Sequence, residues 1–361
     1  MIPKTMKAMV LTGHGGFDKL EWHENWPVPK PGPGEVLIRV AACGLNNTDV
    51  NTRSGWYSKQ VTEATTGGAY ESVGENGSWG GGIAFPRIQG ADICGHVVAL
   101  GDGADRRLLD KRVIADCWLR DWSDPTNRDR TGYIGSEADG GFAEYAAIDA
   151  RNVAAVDSPL TDAELATFSC SYTTAEGMLS RADVGAGDRV LITGASGGVG
   201  SALIQLANRR GALTIALASA AKHAQVAGLG PAHILDRAPT DLAAALDQKT
   251  GHAKVDVIAD IVGGSYFPKL IEQLERGGRY VTSGAIAGPI VELDLRTLYL
   301  NDLTFHGSTV VPPHIFRDLV GYIERGEVRP VLAATYPLRE LHKAQQAFID
   351  KTHTGNIVVT P

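Results

Sequence analysis

The chain has 361 residues, 43% of them hydrophobic and 21% charged, with a net charge of −7. That length suggests two domains, the composition supplies a full apolar core, and the acidic balance leaves no basic field for nucleic acid or an anionic membrane. No apolar run approaches the roughly 20 residues of a membrane span.

The opening Met1-Ile2-Pro3-Lys4-Thr5 lacks the apolar core of a secretory signal. Cys43, Cys94, Cys117 and Cys170 are scattered without C-x-x-C spacing, which predicts reduced thiols in a cytoplasmic protein and no disulfide framework. To about residue 155 the chain reads as β-rich, with short β-prone runs at 7–11, 35–42, 93–100, 112–115 and 142–148 separated by Pro/Gly turns. Two long segments interrupt it. Residues 58–86 are polar and glycine-rich around Trp79; residues 118–140 are charged and carry Trp118, Trp122 and Tyr133. Loops of this length are functional or disordered, and their aromatics favour ordered loops that shape a pocket over solvated, mobile ones.

From Thr161 helix and strand alternate, with helical periodicity over 161–181, 198–210, 220–229, 240–250 and 265–276. Strand-like runs fall at 190–192, 214–218, 233–235, 255–261, 279–283 and 303–307. This alternation predicts an α/β fold with a doubly wound parallel sheet. A helix over 313–325 precedes the tail, whose 356–360 reads as a closing strand able to return to the first sheet. The first strand of the alternation runs into Gly194-Ala-Ser-Gly-Gly-Val-Gly200 and then an amphipathic helix. Strand, glycine turn and helix start together form an anion cradle: backbone N–H groups point outward, and the glycines let a pyrophosphate come close. A packing turn of an α/β core is the bland alternative.

Several motifs in order carry a family resemblance: Gly44-Leu-Asn-Asn-Thr-Asp-Val50, Arg53-Ser-Gly-Trp-Tyr57, Gly90-Ala-Asp-Ile-Cys-Gly95, Gly140-Gly-Phe-Ala-Glu-Tyr145, the glycine turn and Gly355-Asn-Ile-Val-Val359. The chain resembles the medium-chain dehydrogenase/reductase superfamily, and within it the quinone oxidoreductase and enoyl reductase branch. The resemblance implies a GroES-like β-rich catalytic domain over 1–158, completed by the tail 312–361, and a Rossmann domain over 159–311.

It also bears on metal. Where zinc-dependent relatives carry their first cysteine ligand this chain has Asn46; the histidine of Gly-His-Glu is Ala91; only Cys170 keeps the third position. Alanine offers no donor and a carboxamide is a poor one, so no metal site is expected, a rearranged use of Asp92 and Cys170 being the alternative. Cys94 and His96 share a strand face and read as an ordinary packed pair. Tyr57 matches a tyrosine that enoyl reductases of this branch place near the nicotinamide, and is the candidate proton donor or oxygen-binding group; the alternative is a ring packing its loop. Asn46 either positions a carbonyl or the nicotinamide ribose, or satisfies a buried turn. Thr48 reads as a local cap, and Asp49 and Asp92 as anchors of the motif loops.

The resemblance places Gly194, Ser196, Gly197, Gly198 and Val199 on the pyrophosphate, and Val262, Ala285 and Ile286 beside the nicotinamide half. An NAD site usually has an acidic residue ending the second strand. Here Ser219 and Lys222 follow it, with Arg237 after the third strand, so NADP(H) is the expected cofactor; a solvated Lys222 or Arg237 is the alternative. These features lead to an NADPH-dependent reductase of an activated C=C bond, in a quinone or an α,β-unsaturated carbonyl or thioester. The alternatives are a zinc-type alcohol/carbonyl dehydrogenase and a non-catalytic cofactor-binding structural protein. The partner is a small-molecule substrate in a pocket with an aromatic wall from Trp56, Trp79 or Trp118. The apolar edge 303–310 predicts a homodimer.

Overall fold

A computed structural model describes residues 1–68, 70, 77–80 and 82–361. Positions 69, 71–76 and 81, within the first long insert, lie outside the described residues. Two compact units emerge: one comprises 1–61, 66–170 and 312–361, the other 62–65 and 171–311.

The first unit is built on a seven-stranded sheet. Its order runs Val153–Ala155, Arg112–Ala115, Asp92–Leu100, Glu35–Gly44, Asn356–Thr360 and Leu332–Pro337, and Tyr145–Asp149 also pairs with Glu35–Gly44. The closing strand thus sits inside the sheet, with Val358 opposite Gly44 and Val359 opposite Cys43. A second sheet joins Leu20–Pro27, Thr5–Leu11 and Arg87–Ile88. Helix α1 (Asn47–Ser54) follows the central strand directly, and Gly55 in the left-handed conformation stops it.

The helical run expected over 161–181 is two helices, Asp162–Leu165 and Ser169–Arg181. A capping box between Thr161 and Glu164 starts the short one, which packs on the strands Glu35–Gly44 and Asp92–Leu100. A Cβ on Gly44 would lie 2.3 Å from the Ala166 carbonyl, so only glycine admits this contact. That packing carries the first unit to Cys170, past the boundary at 158 drawn from the sequence.

The second unit is a six-stranded parallel sheet: β1 (Arg189–Ile192), β2 (Leu213–Ala218), β3 (His233–Asp236), β4 (Val255–Asp260), β5 (Leu274–Thr282) and β6 (Thr304–Gly307). Its order is β3-β2-β1-β4-β5-β6, every pair parallel. The direction of winding reverses between β1 and β4, the switch point where open α/β sheets bind ligands at the carboxyl ends of their strands. Leu191, Ile215, Leu217, Ile258, Phe267 and Tyr280 belong to one buried cluster. Helix α2 (Gly198–Arg209) buries Ala202, Leu203, Leu206 and Ala207, the apolar stripe its periodicity predicted.

The helix expected over 265–276 ends at Ile271, because Leu274 has joined the sheet opposite Val255. That over 220–229 is a 3₁₀ turn and a helix ending at Ala227. The run 142–148 forms a strand only from Tyr145. No described helix is long and apolar enough to cross a membrane.

Candidate active site

In the second unit the glycine turn begins at the end of β1. Gly194 takes φ +57, which an L side chain rarely adopts, and a Cβ there would press on Ile261 and Val262. A Cβ on Gly200 would lie 2.2 Å from the Gly194 carbonyl, so this glycine lets helix α2 close on the turn. Gly197 is the N-cap of α2 and supplies no capping side chain. The first N–H groups of the helix therefore have no side-chain acceptor and suit an anion. Ser196, Gly197, Gly198 and Val199 are half-buried, open on one side.

At the end of β2, Ser219 caps the 3₁₀ turn that carries Lys222, and burial holds the Lys222 ammonium below its ordinary pKa. β3 runs alongside with Ala218 opposite Asp236, so Arg237, exposed, leaves the same edge of the sheet. Two loops continue the edge on the other side. Val262 follows β4, and Ala285 and Ile286 follow β5; the Ala287 N–H donates to the Val262 carbonyl at 2.8 Å and the Gly264 N–H to Gly288 at 3.1 Å. All the cofactor-binding residues expected from the sequence thus lie along the carboxyl ends of one parallel sheet.

The first unit holds a separate polar centre. Asn46 caps α1 in a reciprocal box: its side chain accepts from the Asp49 N–H, and the Asp49 carboxylate accepts from the Asn46 N–H at 2.7 Å. This turns the Asn46 Nδ2 toward Asp92, whose charged form it favours, yet Nδ2 has no hydrogen-bond partner of good geometry. Asp92 Oδ1 accepts the Cys170 N–H at 2.8 Å, and the Tyr133 hydroxyl donates to the Cys170 sulfur at 3.2 Å. Burial lifts both carboxyl groups: Asp92 to about 7 despite the Asn46 and Cys170 donors, and Asp49 to about 7, with Asp92 adding to the rise.

Tyr57 is half-buried, its hydroxyl hydrogen-bonded to the side chains of Thr48 and Asn51, and burial raises its pKa. Its ring meets Trp56 edge-on at 5.7 Å. Asn46, Tyr57, Asp49, Asp92 and Cys170 therefore belong to one neighbourhood. Cys94 lies outside it, directed at Asp162.

These donors do not suit zinc. Asn46 offers a carboxamide, Ala91 nothing, and the remaining pair is engaged: Asp92 with Cys170 and Asn46, Cys170 with Tyr133. No group of three His, Cys, Asp or Glu among the described residues can hold a metal ion.

Sequence reading treated Tyr133 only as an aromatic of the second insert. It packs on Trp118 at 5.1 Å, and Trp118 on Trp79 of the first insert at 5.0 Å, so both inserts converge beside Cys170. No local signal marks that role.

Comparison with known proteins follows this division. Residues 32–158 match the alcohol dehydrogenase GroES-like domain, and 198–325 the family described as zinc-binding dehydrogenase. A putative alcohol dehydrogenase from Sinorhizobium meliloti 1021, of known crystal structure, is 47% identical; the match covers 100% of this chain and 98% of that one, with a TM-score of 0.91. Acryloyl-coenzyme A reductase of Sulfurisphaera tokodaii is 28% identical over 99% of this chain and 100% of its own length. The chloroplastic NADPH-dependent alkenal/one oxidoreductase of Arabidopsis thaliana is 28% identical over 100% of this chain and 81% of its own.

Proposed function

Because the chain belongs to the medium-chain dehydrogenase/reductase superfamily, in its quinone/enoyl reductase-like branch, we propose that it is an NADPH-dependent reductase of an activated C=C bond, acting on an α,β-unsaturated carbonyl, a thioester or a quinone. The observation that carries this reading is Asn46. A carboxamide whose buried N–H faces only Asp92, with no bond of good geometry, stands where a zinc-dependent relative needs a thiolate. Such a donor is suited to an oxygen that gains negative charge as the double bond is reduced.

The second unit fits the cofactor. The glycine turn and open helix start would hold the pyrophosphate, Ser219, Lys222 and Arg237 the 2′-phosphate, and Val262, Ala285 and Ile286 would border the nicotinamide half. When bound, NADPH supplies the hydride. Asn46 Nδ2 binds the carbonyl oxygen, and Tyr57, kept protonated by burial, supplies the proton that completes the reduction. The enone-like relatives point the same way: an acryloyl-coenzyme A reductase and an alkenal/one oxidoreductase both take a C=C bond conjugated to a carbonyl.

The putative alcohol dehydrogenase at 47% identity favours a second reading, reversible oxidation of an alcohol on the same scaffold. Nicotinamide absorbance followed against panels of enones, quinones and simple alcohols separates the two. Turnover of alcohols or aldehydes with none of the conjugated substrates would sink the first. We also propose a homodimer through the face beside β6, where Leu295, Tyr299 and Leu300 are exposed and apolar next to an open sheet edge. Residence in the cytoplasm fits four cysteines that form no disulfide.

A further inference from the structure

Asp260, the last residue of β4, is fully buried and accepts hydrogen bonds on both carboxylate oxygens. Oδ1 receives the Thr193 hydroxyl at 2.5 Å and the Val262 N–H at 2.8 Å; Oδ2 receives the Tyr280 hydroxyl at 2.6 Å; the Gly263 N–H is shared by both at 3.3 and 3.2 Å. These donors come from three places. Thr193 directly follows β1 and immediately precedes Gly194, Tyr280 lies on β5, and Val262 and Gly263 form the loop after β4. Thr193 closes the circuit, its hydroxyl accepting the Ile261 N–H at 3.1 Å.

A buried carboxylate is costly unless its oxygens are satisfied, and this one takes its bonds from the segments on either side of the switch point and from Tyr280 on β5. Gly263 and Gly264 both have positive φ and bring no side chain of their own to fix their loop, which lies close against Ala285 and Ala287. The carboxylate and the two bonds to the 285–288 loop do the holding.

We propose that Asp260 is a positioning residue for the cofactor: without touching it, the carboxylate registers the phosphate-binding turn against the loop bordering the nicotinamide half. This rests on the dinucleotide reading given above. Replacing the carboxylate loosens the Val262–Gly264 loop, whereas the adenosine end at Ser219 and Lys222, in the turn after β2, stays as it is.

Calorimetric titration of the full chain with two probes, 2′,5′-ADP and NADPH, tests this. Asp260→Ala weakens NADPH binding at least tenfold and leaves 2′,5′-ADP within about twofold, and kcat falls with it. Asp260→Asn keeps an acceptor for the Val262 N–H and restores most of the loss, to about threefold. A role in stability alone lowers the thermal midpoint and moves both ligands equally, which would overturn the proposal; so would unchanged NADPH binding. If the alanine variant does not fold, Asp260→Asn and Tyr280→Phe decide on the same two-probe comparison. Wild-type protein that binds neither probe refutes the NADPH reading instead; if it binds NADH, the pair becomes 5′-ADP and NADH.

Discussion

The Tyr133 hydroxyl donates to the Cys170 sulfur at 3.2 Å. The only thiol at a position matching a zinc ligand is thereby taken up by a proton donor contributed by an insert. Turnover of conjugated substrates is therefore expected to be insensitive to chelators, and protein grown with added zinc to carry well under one equivalent. Stoichiometric zinc by elemental analysis, with activity lost on chelation, would refute this.

Asn46 has a capping role and a proposed chemical role, and two variants separate them. Asn46→Asp keeps an acceptor at the start of α1 but removes the N–H donor; Asn46→Ala removes both. Each is expected to lower kcat about 100-fold. The alanine variant should also lose about 1 kcal/mol of stability to the missing cap. The aspartate variant keeps the cap and instead loses stability as pH rises, because it adds a third buried carboxyl beside Asp49 and Asp92. Comparable rates in wild type and Asn46→Asp would leave the side chain a structural cap alone.

Asp49 and Asp92, ordinarily ionised well below neutrality, are both lifted to about 7. Folded-state values above the unfolded value of 3.8 mean that the native protein binds more protons. Their stabilising contribution is complete below about pH 4 and is lost as pH rises through 7. Denaturant midpoints should fall from pH 5 to 8, with a limiting slope of about 1.4 kcal/mol per pH unit for each group. Asp92→Asn flattens this profile; a variant with the wild-type slope would remove Asp92 as its cause.

Lys222→Ala should cost NADPH about 30-fold in kcat/KM while leaving NADH nearly unchanged, since only the former carries a 2′-phosphate for the ammonium. Arg237, exposed just after the neighbouring strand, should show the same preference more weakly. Equal losses with both cofactors would place Lys222 elsewhere.

Two glycines of the turn should behave differently. Gly200→Ala drives a methyl into the Gly194 backbone and should cost about 1–3 kcal/mol along with cofactor binding. Gly197→Ala meets nothing nearer than 3.5 Å and should leave the thermal midpoint unchanged while weakening dinucleotide binding. Unimpaired binding by the latter would move the pyrophosphate away from this turn.

The alternation of strand and helix from β1 onward was legible because each element there is a local pattern: an apolar run, a glycine turn, an amphipathic stripe. Misreadings came where tertiary pairing chose between local options. Leu270, Ile271 and Leu274 fit a helical stripe, but Leu274 pairs in the sheet. The strand Leu332–Pro337 escaped notice because its alternation is carried by Ala, Thr and Tyr rather than strong apolar residues, and the helix Leu341–Ile349 behind it was missed with it. Asn46, Asp92 and Cys170 could be named from motifs. The bond from Tyr133 to Cys170 could not, since it joins an insert to a site 37 residues away.

The strand Asn356–Thr360 lies between Glu35–Gly44 and Leu332–Pro337. On the ribosome, 171–311 emerges as one stretch and can fold as it appears, at about 5–20 residues per second. The β-rich unit has to wait. Asp92–Leu100 and Tyr145–Asp149 can join its central strand early, but the Cys43–Gly44 end gains its second partner only after more than 300 further residues, so a ribosome stalled late in the message leaves that stretch of sheet edge open.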